Sequence, residues 1–257
     1  MHLRKTIAVA GAAVLAASLL GLTGTANAAG TPIGSPVQFI RVNGATSTPP
    51  ALTDTVGING IFKSGTASFA GSTYGCTGGT VNGTTKRGAY NGTTPAFQFT
   101  TMSITCNTPV GNATISVTPA CAALGGVPVY FNDPVVNDGL LDGGGKGGPK
   151  YFNVLGSVDF PATPAPGCVK VSALGGLCSA YVVGTGLIAQ FNEIIKTDVN
   201  GVRWQDLILK GTGSLVNQSG CLGLLTGNFT LNAITFNIQV TGGTTAGGGI
   251  DFRNLTR

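Results

Sequence analysis

A glycine or a proline falls every few residues from residue 29 to the end of the chain, and that feature removes the α-helix from almost all of it. A helix-interior Gly costs about 1 kcal/mol and a Pro about 3 kcal/mol relative to Ala, and the chain carries 42 Gly and 13 Pro in 257 residues. No three-four apolar periodicity is sustained through that punctuation. What recurs instead is strict alternation, the pattern of a half-buried strand. In Asn228–Val240, Ile234, Phe236, Ile238 and Val240 alternate with Thr235, Asn237 and Gln239. In Ala96–Cys106, Phe97 and Phe99 share one face and Gln98 and Thr100 the other.

Further strands are expected at Val37–Val42, Thr66–Ala70, Ala113–Thr118, Val127–Phe131, Tyr151–Val158, Ala180–Phe191, Val202–Leu209 and Gly213–Asn217. Asn-Gly pairs at 43–44, 59–60, 82–83, 91–92 and 200–201 predict tight hairpin turns, which need positive φ. With 42% hydrophobic residues the chain can build a core rather than remain disordered. The expected fold is all-β: a disulfide-stapled antiparallel β-sandwich or barrel-like fold.

Residues 1–28 have the layout of a secretory signal peptide. His2, Arg4 and Lys5 form a basic start, Thr6–Leu22 is apolar, and Ala26-Asn27-Ala28 offers small residues for cleavage after Ala28. The alternative, an uncleaved anchor, needs about 20 apolar residues, and Gly11, Thr23 and Gly24 weaken the segment near that limit. The expected organisation is therefore signal 1–28 and a secreted β domain 29–257. A Gly-rich loop, 132–150, marks possible halves 29–131 and 151–257. No later segment is apolar enough to span a membrane, so the mature chain is not expected to be an integral membrane protein.

Cleavage removes His2, the single histidine of the chain. Without it no Ser-His-Asp or Cys-His site can form, and no His-ligated zinc or copper. It also lowers the net charge from +5 to +3, because Arg4 and Lys5 leave with it. A charge that small, with Lys86-Arg87 as the one adjacent basic pair, is no footprint for nucleic acid.

Other chemistry is sparse. Glu193, Asp198 and Asp206 could supply a carboxylate pair, but read more simply as loop or strand-end acids. Asp133, Asn137, Asp138 and Asp142 place oxygen ligands in the Gly-rich loop, without the spacing of a known calcium loop. Trp204 with Tyr74, Tyr90, Tyr130, Tyr151 and Tyr181 could form a sugar-stacking platform, yet Phe supplies 12 of the 18 aromatics, which reads as core filling. No catalytic residue, metal ligand or cofactor site is assigned.

Cys76, Cys106, Cys121, Cys168, Cys178 and Cys221 form an even set in an expected oxidising compartment, so disulfides are the expected state. Six cysteines allow 15 connectivities. The segments Ala51–Thr55, Gly79–Thr84 after Cys76, Met102–Cys106, Cys178–Thr185 and Ser219–Leu225 resemble a family of secreted, largely uncharacterised all-β proteins of actinobacteria. That family's four-cysteine pattern implies Cys76–Cys106 and Cys178–Cys221. The additional Cys121 and Cys168 bracket the Gly-rich loop, and a third bridge between them is inferred. In style the chain is also similar, more distantly, to secreted alkane-oxidation activator proteins of pseudomonads, a likeness that would imply a role at hydrophobic surfaces or in uptake of apolar substrates.

The function expected is a non-enzymatic extracellular or cell-surface-associated structural or interaction protein, whose partners would be the cell envelope or further copies of itself. The alternative is a secreted carrier of a hydrophobic small molecule, and the third a carboxylate-dependent secreted hydrolase. Terminal sequencing of the exported protein is expected to begin at Ala29; a product beginning at Met1 would show that the segment is retained.

Overall fold

The computed structural model describes residues 38–42, 55–86, 89–90, 94–136, 152–192, 196–197, 203–221, 225, 227–241 and 250–254. The signal segment 1–28 lies outside them, as do the Asn-Gly pairs at 43–44, 91–92 and 200–201. The described chain is almost entirely strand. β1 (Gln38–Val42), β2 (Thr55–Phe69), β3 (Ser72–Lys86), β4 (Ala89–Tyr90), β5 (Phe97–Thr108) and β6 (Gly111–Val117) precede a short helix, α1 (Pro119–Ala123). β7 (Val127–Val136), β8 (Phe152–Phe160), β9 (Val169–Ala173) and β10 (Cys178–Asn192) follow. The chain continues through β11 (Lys196–Thr197), β12 (Arg203–Ser219), β13 (Asn228–Thr241) and β14 (Ile250–Asn254).

Of the two architectures the sequence allows, the structure is the barrel. Each long strand pairs antiparallel with its neighbour in the chain, and β13 pairs with β2 to close the ring at eight strand positions. Two of those positions are each filled by a pair of short strands. β6 and β7 run in the same direction along β5, β6 against Ser103–Thr108 and β7 against Phe97–Phe99. Likewise β8 and β9 share the side of β10. The wall is thus interrupted midway in two adjoining strands. Of stretch 132–150, β7 takes in the residues as far as Val136 and pairs antiparallel with β8, which begins at Phe152; residues 137–150 lie outside the described residues.

The interruption is stapled. Cys121 on α1 bonds Cys168, ahead of β9, with Cα atoms 4.9 Å apart. Thr118 caps α1, its hydroxyl accepting from the Cys121 N–H, and Pro119 starts the helix where no N–H is needed. The Thr118 N–H donates to the Cys168 carbonyl at 2.8 Å. The other two bridges are Cys76–Cys106, joining directly opposed residues of β3 and β5, and Cys178–Cys221, at the same end of the barrel. These are the two pairings that the family resemblance implies, together with the third inferred beside them.

The strand stagger sets the width. From Asp206 on β12 the register runs through Asn237, Ile61, Thr80, Ser103, Ser116, Lys170 and Tyr181 and returns to β12 at Val216, ten residues along. A stagger of ten over eight strands gives a tilt of about 40° and a backbone radius of about 8 Å, room for side chains or one small ligand.

Here side chains fill the part that the described residues line. Phe97, Phe99, Phe191, Phe229 and Phe236 expose no surface, either to solvent or to an internal void that would admit a water molecule. The same holds for Ile104, Ile115, Val171, Val182, Ala189 and Leu207 around the girth. Phe97 meets Phe131 and Phe191 edge to face, with ring centroids 5.2 and 5.5 Å apart.

Two expected turns are not turns. Asn59 and Asn82 are partners across β2 and β3, inside continuous strands. Their glycines serve the interior: a Cβ at Gly60 would stand 2.5 Å from both Ile238 and Val81, and one at Gly83 would strike the Gln98 carbonyl. Packing has overridden turn preference. Gly60→Ala is therefore expected to destabilise the fold by about 1–3 kcal/mol, while Gly78→Ala, where a Cβ meets nothing, should stay within about 0.5 kcal/mol. Urea titration of both variants checks this; equal losses would mean the interior is not tightly packed at Gly60.

Candidate interaction surface

Because side chains alternate across a strand, filling the interior with apolar groups leaves the other half of every strand facing out. On β13, β2, β3, β5 and β6 that outward half is mostly Thr, Ser and Asn, with Ile61 and Lys63 of β2 exposed among them. The register aligns them in rows. Asn59, Asn82 and Thr101 form one, with the Asn59 amide donating to the Asn82 carbonyl oxygen at 2.5 Å and the Asn82 amide to the Thr101 hydroxyl at 3.0 Å. Thr80, Ser103 and Ser116 form the next. Thr105, Thr114, Ser172, Ser179 and Ser219 continue the pattern across β5, β6, β9, β10 and β12.

Nearer the β2–β3 turn, Thr212, Thr230, Ser68 and Thr73 stand side by side. Their hydroxyls pair at 3.0 Å (Thr212 with Thr230) and 2.7 Å (Ser68 with Thr73), and the Asn232 amide donates to Ser68 at 2.8 Å. Neighbours across strands lie about 4.8 Å apart and successive outward residues about 6.6 Å apart along a strand. The result is a neutral two-dimensional array of hydrogen-bonding groups.

Charge is concentrated elsewhere on the outer surface. Asp206 accepts from Lys196 Nζ at 2.6 Å and from Lys63 Nζ at 3.4 Å. Both ammonium groups lie over the Trp204 ring, 5.0 Å (Lys63) and 4.8 Å (Lys196) from its centre. This cluster ties the β11–β12 hairpin to β2, through contacts worth about 0.5–1 kcal/mol each at such exposure. Asp206 is therefore engaged by two cations, and Glu193 and Asp198, its expected companions, lie outside the described residues.

Trp204 is a half-buried outward residue of β12 rather than a member of an aromatic platform. Tyr74 lies against Phe69, while Tyr130 and Tyr181 sit on β7 and β10. The side chains of Tyr90 and Tyr151 lie outside the described residues, as does the environment of Asp133, Asn137, Asp138 and Asp142.

A second outward row crosses the upper wall: Tyr130, Ser157, Ile188 and Lys210. Ser157 is buried there, and its hydroxyl has no hydrogen-bond partner. Burial, and secondly the Asp159 carboxylate, pushes the Tyr130 phenol above its ordinary value. Asp159 itself accepts the Gly186 N–H at 2.7 Å. Sequence reading missed this row, because Tyr130 and Lys210 are brought into one line only through the pairing of four strands.

No known protein family matches the chain, and no curated protein does. Among solved structures, DynF from the dynemicin biosynthesis pathway of Micromonospora chersina is similar at 14% identity. The match covers 81% of this chain and 90% of that one, with a TM-score of 0.41.

A raised phenol pKa has a signed consequence. Between about pH 10, where an unfolded tyrosine titrates, and the higher folded value, the unfolded chain releases the proton first. Stability from this group is intact below about pH 10 and falls as pH rises through the folded pKa. Tyr130→Phe is expected to remove part of the alkaline loss seen in urea titrations. An identical alkaline profile in wild type and variant would refute the assignment.

Proposed function

We propose that this is a non-enzymatic, secreted protein that works through the outside of its barrel, at or near the cell surface. The observation that carries the reading is the division between the two faces of the wall. The described interior is filled by phenylalanine and aliphatic side chains. The outer rows of Asn59, Asn82, Thr101, Thr80 and Ser103 present neutral donors and acceptors in register. Such an array suits contact with a neutral, hydrated partner such as a polyhydroxylated envelope polymer, or with further copies of the chain.

Three disulfides fit an oxidising compartment, in keeping with the actinobacterial secreted family that the sequence resembles. No described helix is long and apolar enough to cross a membrane. A membrane-spanning barrel would carry an apolar outer band and a polar interior; the described strands have the reverse. The carrier alternative requires an apolar cavity, and residues such as Phe97, Phe99 and Leu207 leave none against themselves.

The test is fractionation of the native host's culture into cleared medium, salt-washed envelope and cytoplasm. Wild-type protein is expected on the washed envelope. The double variant Asn82→Asp/Thr101→Asp, which puts like charges on adjacent strands of the exposed array, is expected to shift mostly to the medium. Release of wild type into the medium as a monomer that binds an apolar fluorescent probe in its native state would overturn the proposal in favour of a carrier.

A further inference from the structure

Charge is absent from long stretches of this chain: Ser64–Thr85, Gly88–Asn132, Val171–Asn192 and Gly211–Ile250 contain no Asp, Glu, Lys or Arg. The barrel gathers parts of all four at one end. The β2–β3 turn at Ala70-Gly71, the β5–β6 turn at Pro109-Val110, the β9–β10 turn at Leu174–Leu177 and the Cys221 end of β12 all lie there. So do the Cys76–Cys106 and Cys178–Cys221 bridges. The nearest charge along the strands is Lys170, four residues before Leu174 on β9, or about 13 Å.

Among the described residues, two of the five exposed large apolar side chains stand at this pole, while Ile61, Leu124 and Ile188 lie elsewhere on the barrel. Leu177 is 79% exposed and Val110 49% exposed. The turns that carry them lie on adjoining strands: β6 pairs with β9 up to Thr114 and Ser172 and packs against the turn Leu174–Gly176. The second turn is strained in a way that produces the display. Leu174, Gly175 and Gly176 have φ of 53°, 65° and 96° in succession. A left-handed leucine is unfavourable. Here it packs the Leu174 side chain against the core while Leu177 points away. Cys178, next in the chain, is bonded to Cys221, so the exposed leucine sits on a pinned base and little entropy is lost when it is covered.

We propose that this charge-free pole is a self-association surface, and that its occupant is the same pole of a second copy, packed about a two-fold axis. The inference rests on the surface role proposed above and names the partner. Charge favours this arrangement: two net-positive chains meeting pole to pole bring no like charges together at the contact and hold their charged ends furthest apart. Size permits it. A barrel of about 8 Å backbone radius, with its side chains, offers an end face of roughly 500 Å², so two faces bury roughly 1,000 Å², near the lower limit of a specific interface. A lipid surface is disfavoured, because the described residues of the pole carry no Lys or Arg and no Trp, the groups that hold proteins at headgroups.

The test is analytical ultracentrifugation of the mature, oxidised chain across a concentration series. A reversible dimer is expected, undiminished at about 1 M salt, where charge contacts are screened. Leu177→Glu and Val110→Glu should each weaken it at least tenfold. Leu124→Glu, at a similarly exposed leucine just past α1 and away from the pole, should not change it. A wild-type chain that stays monomeric at about 1 mM, or a dimer that Leu177→Glu leaves intact, overturns the inference. So does a monomer that binds phosphatidylcholine vesicles through Leu177. Envelope retention without dimerisation would overturn this inference alone and leave the surface role standing.

Discussion

The pairing of β13 with β2 joins the last long strand of the barrel to the first, and most other features of the structure depend on it. Most other contacts in the ring are between strands near one another in the chain, and therefore cheap in loop entropy; β6 with β9 reaches further, pairing Thr114 with Ser172. Closure spans the longest stretch of chain. It runs from Thr230 opposite Ser68 to Thr241 opposite Gly57, and it removes two edges that would otherwise offer unpaired backbone groups to other chains. It also commits every strand to one shared interior. Large and small residues must then alternate around the ring: Gly60 stands between Ile238 and Val81, and Gly83 is opposite Phe99.

The wall is irregular on one side. Two adjoining strands break midway, at 118–126 and 161–168, and the backbone bulges into α1 and the proline-containing turn facing it. Cys121–Cys168 and the Thr118–Cys168 hydrogen bond hold the two excursions together. Without a cross-link the two excursions would rely on a few backbone hydrogen bonds. In the chain-entropy picture a loop of 47 residues makes such a bridge worth about 4 kcal/mol. This bridge thus sits at the interruption of the wall.

The described interior is packed with apolar side chains, and the outside is not uniform. Hydroxyl and amide rows cover the strands from β13 through β6, the Lys63, Lys196, Asp206 and Trp204 cluster ties down one hairpin, and one pole carries no charge. Parts of this were legible in the chain. The alternation in Asn228–Val240 and Ala96–Cys106 identified both strands and their buried faces, and the cysteine count identified the staples. β3 was not legible, because Ser72–Lys86 is rich in Gly and Thr and shows little apolar alternation; its inward positions are small to accommodate Phe97 and Phe99 opposite. β9 was hidden for a different reason: at five residues, Val169–Ala173 is too short to show a period. Asn59-Gly60 and Asn82-Gly83 misled because the dipeptide that favours a turn also supplies an outward amide and an inward gap.

By itself the sequence determined the β class, the two faces of its clearest strands, the supply of cysteines and the long uncharged stretches. These are local properties: a period of two, a glycine frequency or a run without charge can be read within one segment. Only the tertiary structure decided that the sheet closes into a barrel, with a stagger of ten. That choice depends on how side chains from all eight strands share one interior, a sum no single segment contains. The stagger then sets which residues meet. It places Asn59 beside Asn82 and Thr101, brings Lys63 and Lys196 to Asp206, and collects Val110 and Leu177 at one uncharged pole.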